Sequence, residues 1–266
     1  MNARTVSNRR PTARRGLLVC SVGAALGLAA LSGCGGAERD GPRGFVRIPA
    51  GAAWLGSAET RDTHPPRRAE FAAFWMGRAP VTVAEFVEYL NAIGPEAPAP
   101  SDPAIEFRGG RWRAARGAAR RPVTGVSRAE AEDYCRRLSI RFNARARLPT
   151  ADEWEYAARG GIDGGRYPWG WGSPEGRVLP RGAEGVQPVG RFPANPFGLT
   201  DLVGHVYQWC ADTGPDGLAT ACGGSWAERD PGFLRAFHRV RFPSDYRGHD
   251  LGFRVLIEAE DPARRR

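Results

Sequence analysis

The residue types that could carry chemistry gather near the end of the chain, around the turn sequence Gly223–Trp226, which reads Gly-Gly-Ser-Trp. Glu228 follows this turn. A carboxylate in a mostly apolar cleft can act as a general base, because burial disfavours its charged form. Glu228 is therefore the candidate catalytic residue. The residues expected to line its pocket are Trp226, Glu228, Phe237, His238, Arg239 and Arg241.

For several side chains in this region a structural role is the simpler interpretation. His205, His238 and His249 could in principle form a metal site, but no pair of them has the close spacing of two ligands on one helix. Each is then a surface residue or a hydrogen-bonded core residue. Arg239 and Arg241, if they lie near a carboxylate, are more often structural ion pairs than anion clamps.

The N-terminus has the pattern of an export signal. Arginines precede an uncharged stretch over residues 16–33 that is rich in Leu, Ala and Gly. The stretch ends in Leu-Ser-Gly followed by Cys34, which resembles a bacterial lipobox. We therefore expect residues 1–34 to be a lipoprotein signal peptide and Cys34 to be lipidated; a plain membrane anchor is the alternative. The rest of the chain divides into a flexible tether at 35–44, a folded domain at 45–258 and a basic tail at 259–266.

These features predict a location in the bacterial cell envelope, with the lipid in a membrane and the domain facing the periplasm or the surface. The net charge of +9 would also suit a nucleic-acid-binding protein. However, all 38 basic residues are arginine, and they are spread along the chain. No arginine cluster in the domain is interleaved with aromatic residues, so we expect no nucleic-acid partner.

Signal removal and lipidation would leave three cysteines in the domain. Cys135 lies on the apolar face of a predicted helix, so its expected role is that of a small buried hydrophobic residue. An odd number of cysteines in an oxidising compartment leaves at least one thiol unpaired. Cys210 and Cys222 lie on segments that could be neighbours, and a disulfide between them is a candidate pairing.

Three helices are marked by the same signal, a Ser or Thr followed three residues later by Glu. These capping boxes begin at Thr82, Ser127 and Thr150, and apolar residues follow each at helical spacing. The patterns also predict strands at 45–48 and 71–76 and a hairpin at 105–112.

Residues 168–195 show almost no periodicity. A coil of this length needs support from outside its own backbone, and we expect tryptophan packing to supply it. A chain of 266 residues with 42% hydrophobic residues can bury one substantial core. We see no domain boundary after residue 45.

The order of segments from Phe45 to Arg254 resembles the formylglycine-generating, or sulfatase-modifying factor, family. The match is densest at Arg147–Gly160, and the turn at Gly223–Trp226 together with Leu251–Arg254 frames the family's active-site segment. The resemblance implies an α+β fold that is compact and loop-rich, with few helices and short antiparallel strands, related to C-type lectin-like domains.

The metal ligands of the family are altered here. In active members two cysteines in that segment bind copper and oxidise a substrate cysteine, and the resemblance places Glu228 and Phe237 at those positions. A carboxylate and a phenyl ring cannot hold monovalent copper as thiolates do, so no copper is expected. The family also binds calcium through oxygen ligands. The resemblance implies at most one weak calcium site, with candidate ligands Glu184, Gly204, Val206 and Gln208, the last of which replaces a glutamate.

Two functions compete on this evidence. The first is a lipid-anchored envelope protein whose domain is non-catalytic and binds a protein or peptide partner. The second is a periplasmic enzyme that modifies a peptide by non-copper chemistry, similar to the pyoverdine-maturation branch of the family, with Glu228 as its base. A formylglycine-generating oxidase is the least favoured reading.

Overall fold

A computed structural model describes residues 41–59, 63, 65–179 and 185–259. The signal peptide, Cys34, Glu184, most of the tether and all but the first residue of the basic tail lie outside the described residues. Arg39–Arg266 is one compact unit, which contains both hydrophobic cores. In the part of the chain that is described, no helix is both long enough and apolar enough to cross a bilayer.

The three predicted helices are confirmed, and each begins at its capping box. They are α1 (Val83–Ile93), α2 (Arg128–Phe142) and α3 (Ala151–Arg159). In each, the hydroxyl of the Ser or Thr accepts the backbone N–H three residues on, while the Glu side chain accepts the N–H of the cap. Cys135 is buried on the inner side of α2.

Twelve short strands accompany these helices in the described residues. They are β1 (Phe45–Ile48), β2 (Gly51–Leu55), β3 (Arg67–Phe71), β4 (Phe74–Gly77), β5 (Ile105–Arg108), β6 (Arg111–Ala114), β7 (Ala146–Arg147), β8 (Tyr207–Thr213), β9 (Ala219–Cys222), β10 (Arg239–Phe242), β11 (Leu251–Phe253) and β12 (Leu256–Glu258). Most pairs are antiparallel, and β11 pairs with β8 in parallel. The loop-rich α+β fold is thereby confirmed.

The strands form two four-stranded sheets and two hairpins. The first sheet has the order β1-β4-β12-β7, and the second has the order β10-β9-β8-β11. The predicted strand at 71–76 is wrong as one element. Phe71 pairs with Gly51 in the β2–β3 hairpin, whereas Phe74 pairs with Ile48 in the first sheet, so the chain changes sheets between them. The predicted hairpin at 105–112 is confirmed as β5–β6.

Polar side chains, more than tryptophans, hold the long coil. The Gln187 N–H donates to His205 Nε2 (3.1 Å), and the Gly190 N–H donates to Asp201 Oδ2 (2.5 Å). The Asn195 amide donates to the carbonyl of Ala157 at the end of α3 (2.7 Å).

Tryptophan packing contributes through Trp169, which stacks on Tyr167 at 5.1 Å. Trp171 is 64% exposed, and Trp209 packs against Phe242 instead. The expectation of tryptophan support is thus confirmed for Trp169, which also donates to the Gly172 carbonyl and lies under Arg177, and not for Trp171 or Trp209. Short polar side chains satisfy backbone N–H groups that a coil leaves open, which aromatic packing cannot do.

Candidate functional site

The Gly-Gly-Ser-Trp turn positions Glu228 because only glycine fits its first two places. Gly223 and Gly224 have positive φ angles of 101° and 64°. A Cβ at Gly223 would lie 2.5 Å from the Leu202 carbonyl oxygen. After the turn, the Ser225 hydroxyl donates to Asp250 Oδ2 (2.7 Å), and the Glu228 N–H donates to the Ser225 carbonyl (3.2 Å).

Glu228 is half-buried and bonded to a tyrosine of β8. The Tyr207 hydroxyl donates to Glu228 Oε1 over 2.5 Å. Burial, and then this carboxylate, raise the pKa of Tyr207 far above its usual range, so the phenol stays a neutral donor. Within the described chain, no residue donates to Oε2 of Glu228. The carboxylate is therefore oriented by Tyr207 and keeps one oxygen for a ligand.

Aromatic side chains lie near the Tyr207–Glu228 pair. The ring of Phe242 packs edge-on against Tyr207 at 5.8 Å and stacks on Tyr246 at 4.9 Å. Trp226 contacts His249 at 5.5 Å, and Tyr246 is 41% exposed. We call this surface the Glu228 face; it consists of Trp226, Glu228, Phe242, Tyr246 and His249.

The opposite side of the same sheet is closed by α3, and Arg239 belongs to that side. Arg239 lies across from Cys222, which lies across from Gln208, so these side chains point away from Tyr207. The Arg239 Nη2 group donates to Asp152 (2.8 Å) and to Glu155 (3.2 Å).

Phe237 is buried with its ring 5.7 Å from the guanidinium carbon of Arg159. His238 packs edge-on against Phe233 at 4.6 Å, and Arg241 lies 3.7 Å from Asp216. The six residues predicted to line one pocket therefore divide into groups. Trp226 and Glu228 share one surface, while Phe237 and Arg239 contact α3. The interpretation of Arg239 as a structural ion pair is the one that matches its contacts.

Cys210 and Cys222 lie side by side but are unbonded. Their sulfur atoms are 3.7 Å apart, both residues are buried, and both are free thiols in the structure. The disulfide is therefore not formed there. Burial, and then the neighbouring Cys222, raise the pKa of Cys210 well above its ordinary value, so this thiol stays protonated. The pair lies on the α3 side of the sheet, away from the Glu228 face.

Gln208 is a fully bonded core residue. Its Oε1 accepts from Trp154 Nε1 (2.9 Å) and from Arg254 Nε (3.0 Å), and its Nε2 donates to the carbonyls of Asp201 and Leu202. Arg254 is completely buried. Burial lowers its pKa to about 9, and the negative charge of Asp201 partly offsets this by raising it. A guanidinium group already supplies the positive charge at this oxygen.

The described donor set therefore does not fit a calcium ion at Gln208. Gly204 and Val206 are buried beside it, and the fourth candidate ligand, Glu184, lies outside the described residues. In the described ranges no three His, Cys, Asp or Glu side chains are grouped as a metal site. His205, His238 and His249 are each engaged separately.

Sequence reasoning missed Tyr207 and Asp201, and it named His205 without its role in holding the coil. Tyr207 orients Glu228, and Asp201 and His205 hold the coil. Burial lowers the pKa of His205, which keeps it neutral and able to accept the Gln187 N–H through Nε2. Tyr207 could have been found from its position in the strand before the Gly-Gly-Ser-Trp turn. Its contact with Glu228, however, joins residues 21 positions apart, which no local pattern predicts.

A separate cleft of about 330 Å³ lies beside the coil, between Trp169, Phe192, Asn195, Leu199 and Asp201. None of the predicted site residues lines it.

Comparisons with known proteins show which family and which structures the chain resembles. The family model described as the sulfatase-modifying factor enzyme 1-like domain matches residues 34–259. The serine/threonine-protein kinase pkn1 of Chlamydia caviae is 35% identical over 176 residues, which are 63% of this chain and 27% of the kinase. The inactive C-alpha-formylglycine-generating enzyme 2 of Mus musculus is 37% identical over 164 residues, which are 53% of this chain and 50% of that protein.

Among solved structures, PvdO from Pseudomonas aeruginosa superposes with a TM-score of 0.68 at 28% identity, covering 81% of this chain and 94% of that one. The chain thus spans only a quarter to a half of the length of the two curated relatives, whereas it matches the PvdO structure over nearly all of its length.

Proposed function

This chain belongs to the sulfatase-modifying factor family, and from that membership we propose that it is a non-catalytic, lipid-anchored protein of the bacterial cell envelope. In this proposal Cys34 carries the lipid, and the Glu228 face binds a protein or peptide partner. The names of the pkn1 and inactive enzyme 2 relatives describe whole proteins, of which this chain matches only 27% and 50%. The proposal therefore does not assign their activities to this chain.

The proposal is supported by the contacts of the two residues that the resemblance places at the cysteine positions of the family. Glu228 is bonded to Tyr207 on one side, and Phe237 is buried against Arg159 on the other. Neither side chain is a soft ligand, so the proposal includes no copper. The burial of Cys210 and Cys222, on the α3 side of the sheet, supports the same proposal, because neither thiol is open to a substrate. The name of the inactive mouse relative is consistent with a family member that lacks this chemistry.

The chemistry of the Glu228 face indicates what it could bind. It presents aromatic rings beside one carboxylate whose second oxygen is open to an incoming donor. Aromatic side chains and a half-buried carboxylate favour a peptide that brings an apolar side chain together with an N–H or cationic group. We therefore expect a peptide or loop of a partner protein.

Site-specific photo-crosslinking in cells tests the partner. A photoreactive phenylalanine analogue replaces Tyr246 on the Glu228 face, and a matched control replaces Trp171, which is 64% exposed elsewhere. We expect a discrete crosslinked product from position 246 that is absent from position 171 and is lost when Glu228→Arg is added. No product at 246, or the same product at both positions, contradicts partner binding at this face.

Lipidation and metal content are tested separately. Metabolic labelling with a radioactive fatty acid should mark the full chain and not its Cys34→Ser variant; equal labelling of both would reject Cys34 as the lipid site. Elemental analysis of the purified protein should find no copper and at most one calcium ion. Stoichiometric copper would return the oxidase to consideration.

The Tyr207–Glu228 pair supports a second candidate function, an enzyme that modifies a peptide by non-copper chemistry. With Oε1 held by Tyr207, Oε2 of Glu228 could remove a proton from a bound peptide. The structural match to PvdO is consistent with a shared scaffold. Mass spectrometry of peptides incubated with wild type and Glu228→Gln tests it. A modified product made only by the wild type supports catalysis by Glu228. Equal turnover by both proteins rejects this second function.

A further inference from the structure

One side of α2 carries an exposed apolar residue between arginines. Arg136, Arg137, Ile140 and Arg141 follow helical spacing and lie opposite the buried side that includes Tyr134. Ile140 is 82% exposed, more than any other large hydrophobic residue in the described ranges. A side chain so exposed adds almost nothing to the core of the domain. We call these four residues, with Arg145 just after the helix, the α2 stripe.

The arginines of the stripe remain accessible even though they have acidic neighbours. The side chains of Arg136, Arg141 and Arg145 are 67%, 69% and 73% exposed. Their closest acidic groups are Asp133 (2.6 Å from Arg136 and 3.6 Å from Arg137), Glu88 (3.9 Å from Arg141) and Glu258 (3.3 Å from Arg145). Exposed pairs of this kind are weak and exchange readily with other anions. Four guanidinium groups face three carboxylates, which leaves the stripe positive.

The stripe ends beside the point where the domain begins. The ring of Phe142, at the end of α2, packs edge-on against Phe45, the first residue of β1, at 5.9 Å. The guanidinium carbon of Arg141 lies 5.8 Å from the centre of the same Phe142 ring. Gly41, the first described residue, lies seven positions after Cys34, and an extended chain of that length spans at most about 25 Å. A lipid on Cys34 would therefore hold this end of the domain near the bilayer.

We propose that the α2 stripe docks the domain on anionic phospholipid headgroups, with the guanidinium groups at the phosphates and Ile140 at the edge of the acyl region. The proposal rests on the lipid anchor of the proposed function. Attraction between exposed charges fades beyond about 10 Å at moderate salt and reaches further at low salt, so the stripe can bind by itself at low ionic strength and a tether strengthens the binding. The short tether supplies proximity to the surface, and the stripe shares no residue with the Glu228 face, which docking therefore leaves to a partner.

Vesicle co-sedimentation of the compact unit, residues 39–266, tests the docking surface without the hydrophobic leader. The vesicles contain phosphatidylcholine with or without phosphatidylglycerol. The double variant Ile140→Gln/Arg141→Glu is compared with Trp171→Gln/Arg191→Glu, which removes one exposed apolar group and reverses one exposed arginine elsewhere. Unchanged thermal unfolding midpoints show that both variants fold.

We expect the wild type to bind the anionic vesicles and to release them at high salt. The stripe variant should bind about tenfold more weakly, and the control should keep its binding. Absence of wild-type binding, or equal weakening in both variants, overturns the proposal. Analytical ultracentrifugation is run in parallel, and a wild-type dimer that only the stripe variant disrupts assigns the stripe to a second copy instead. Failure here leaves the Cys34 labelling and Tyr246 crosslinking results untouched, so the two proposals fail separately.

Discussion

The two sides of the β10-β9-β8-β11 sheet use similar charged residues in different roles. On the α3 side, charged groups are sealed inside: the side chains of Glu155 and Arg159 are 1% and 3% exposed and lie 2.8 Å apart. On the other side, Glu228 is only half-buried and bonded to one tyrosine. A charge that is fully paired and buried maintains structure, whereas one that keeps an open oxygen at the surface is available to a ligand.

The comparison also explains why Arg239, although it was predicted to line the pocket, does not mark a binding site. Arg239 donates to Asp152 and Glu155, so it joins β10 to α3. Glu155 in turn accepts the backbone N–H of Gly56 (2.7 Å), which joins α3 to the loop after β2. One buried carboxylate thus connects three parts of the domain. Residues of the α3 side should matter to stability, and residues of the Glu228 face should matter to binding.

The largest effect is expected from breaking the α3 network. Glu155→Ala leaves the buried Arg159 guanidinium without its carboxylate partner and should lower the free energy of unfolding by about 3–5 kcal/mol. Urea unfolding followed by tryptophan fluorescence measures this. Glu175→Ala, at an exposed position, serves as the control and should change stability by less than about 0.5 kcal/mol. A loss below about 1 kcal/mol for Glu155→Ala would show that the network is not structural.

An intermediate effect is expected from acid. Burial alone would raise the pKa of Glu153, but the bonds from Arg147 (2.7 and 2.8 Å) and the Thr150 N–H lower it below its ordinary value of 4.5. Because the folded pKa is lowered, this stabilisation is present above pH 4.5 and is lost as pH falls through the folded pKa.

Glu153→Gln removes that dependence. Wild type should be the more stable protein at pH 7, and the difference between the two unfolding free energies should shrink as the pH falls below 4.5. Chemical denaturation at a series of pH values measures the difference. If the gap stayed constant through the acid range, the carboxylate would not be held by Arg147 as described.

The smallest effect on stability is expected at the Glu228 face. Tyr207→Phe removes one half-buried hydrogen bond and should cost about 1 kcal/mol. The same change should nevertheless weaken crosslinking from position 246, because Glu228 loses its orienting donor. A destabilisation as large as that of Glu155→Ala would mean that the two sides of the sheet do not differ in role.

Local features of the fold could be predicted because short-range chemistry specifies them. The capping boxes at Thr82, Ser127 and Thr150 each involve residues three apart, and all three helices begin there. The hairpin at Gly109–Gly110 is equally local. The split of residues 71–76 between two sheets could not be read in the same way, since it depends on which distant strand pairs with each residue.

The arrangement of the candidate site could not be predicted. Glu228 is bonded to Tyr207 on one surface, whereas Phe237 and Arg239, which were predicted to line the same pocket, contact α3. Neighbours in sequence alternate between the faces of a strand, so a list of nearby residues cannot say which face each one takes.

By itself, the sequence determined the class of fold and the starts of the helices, because each depends on residue identity or on spacing within a few positions. Only the tertiary structure decided that Tyr207 orients Glu228, that Arg239 belongs to α3, and that Arg254 fills the space beside Gln208. These contacts join residues 21 to 87 positions apart. Their partners are chosen by how whole elements pack, which no local pattern records.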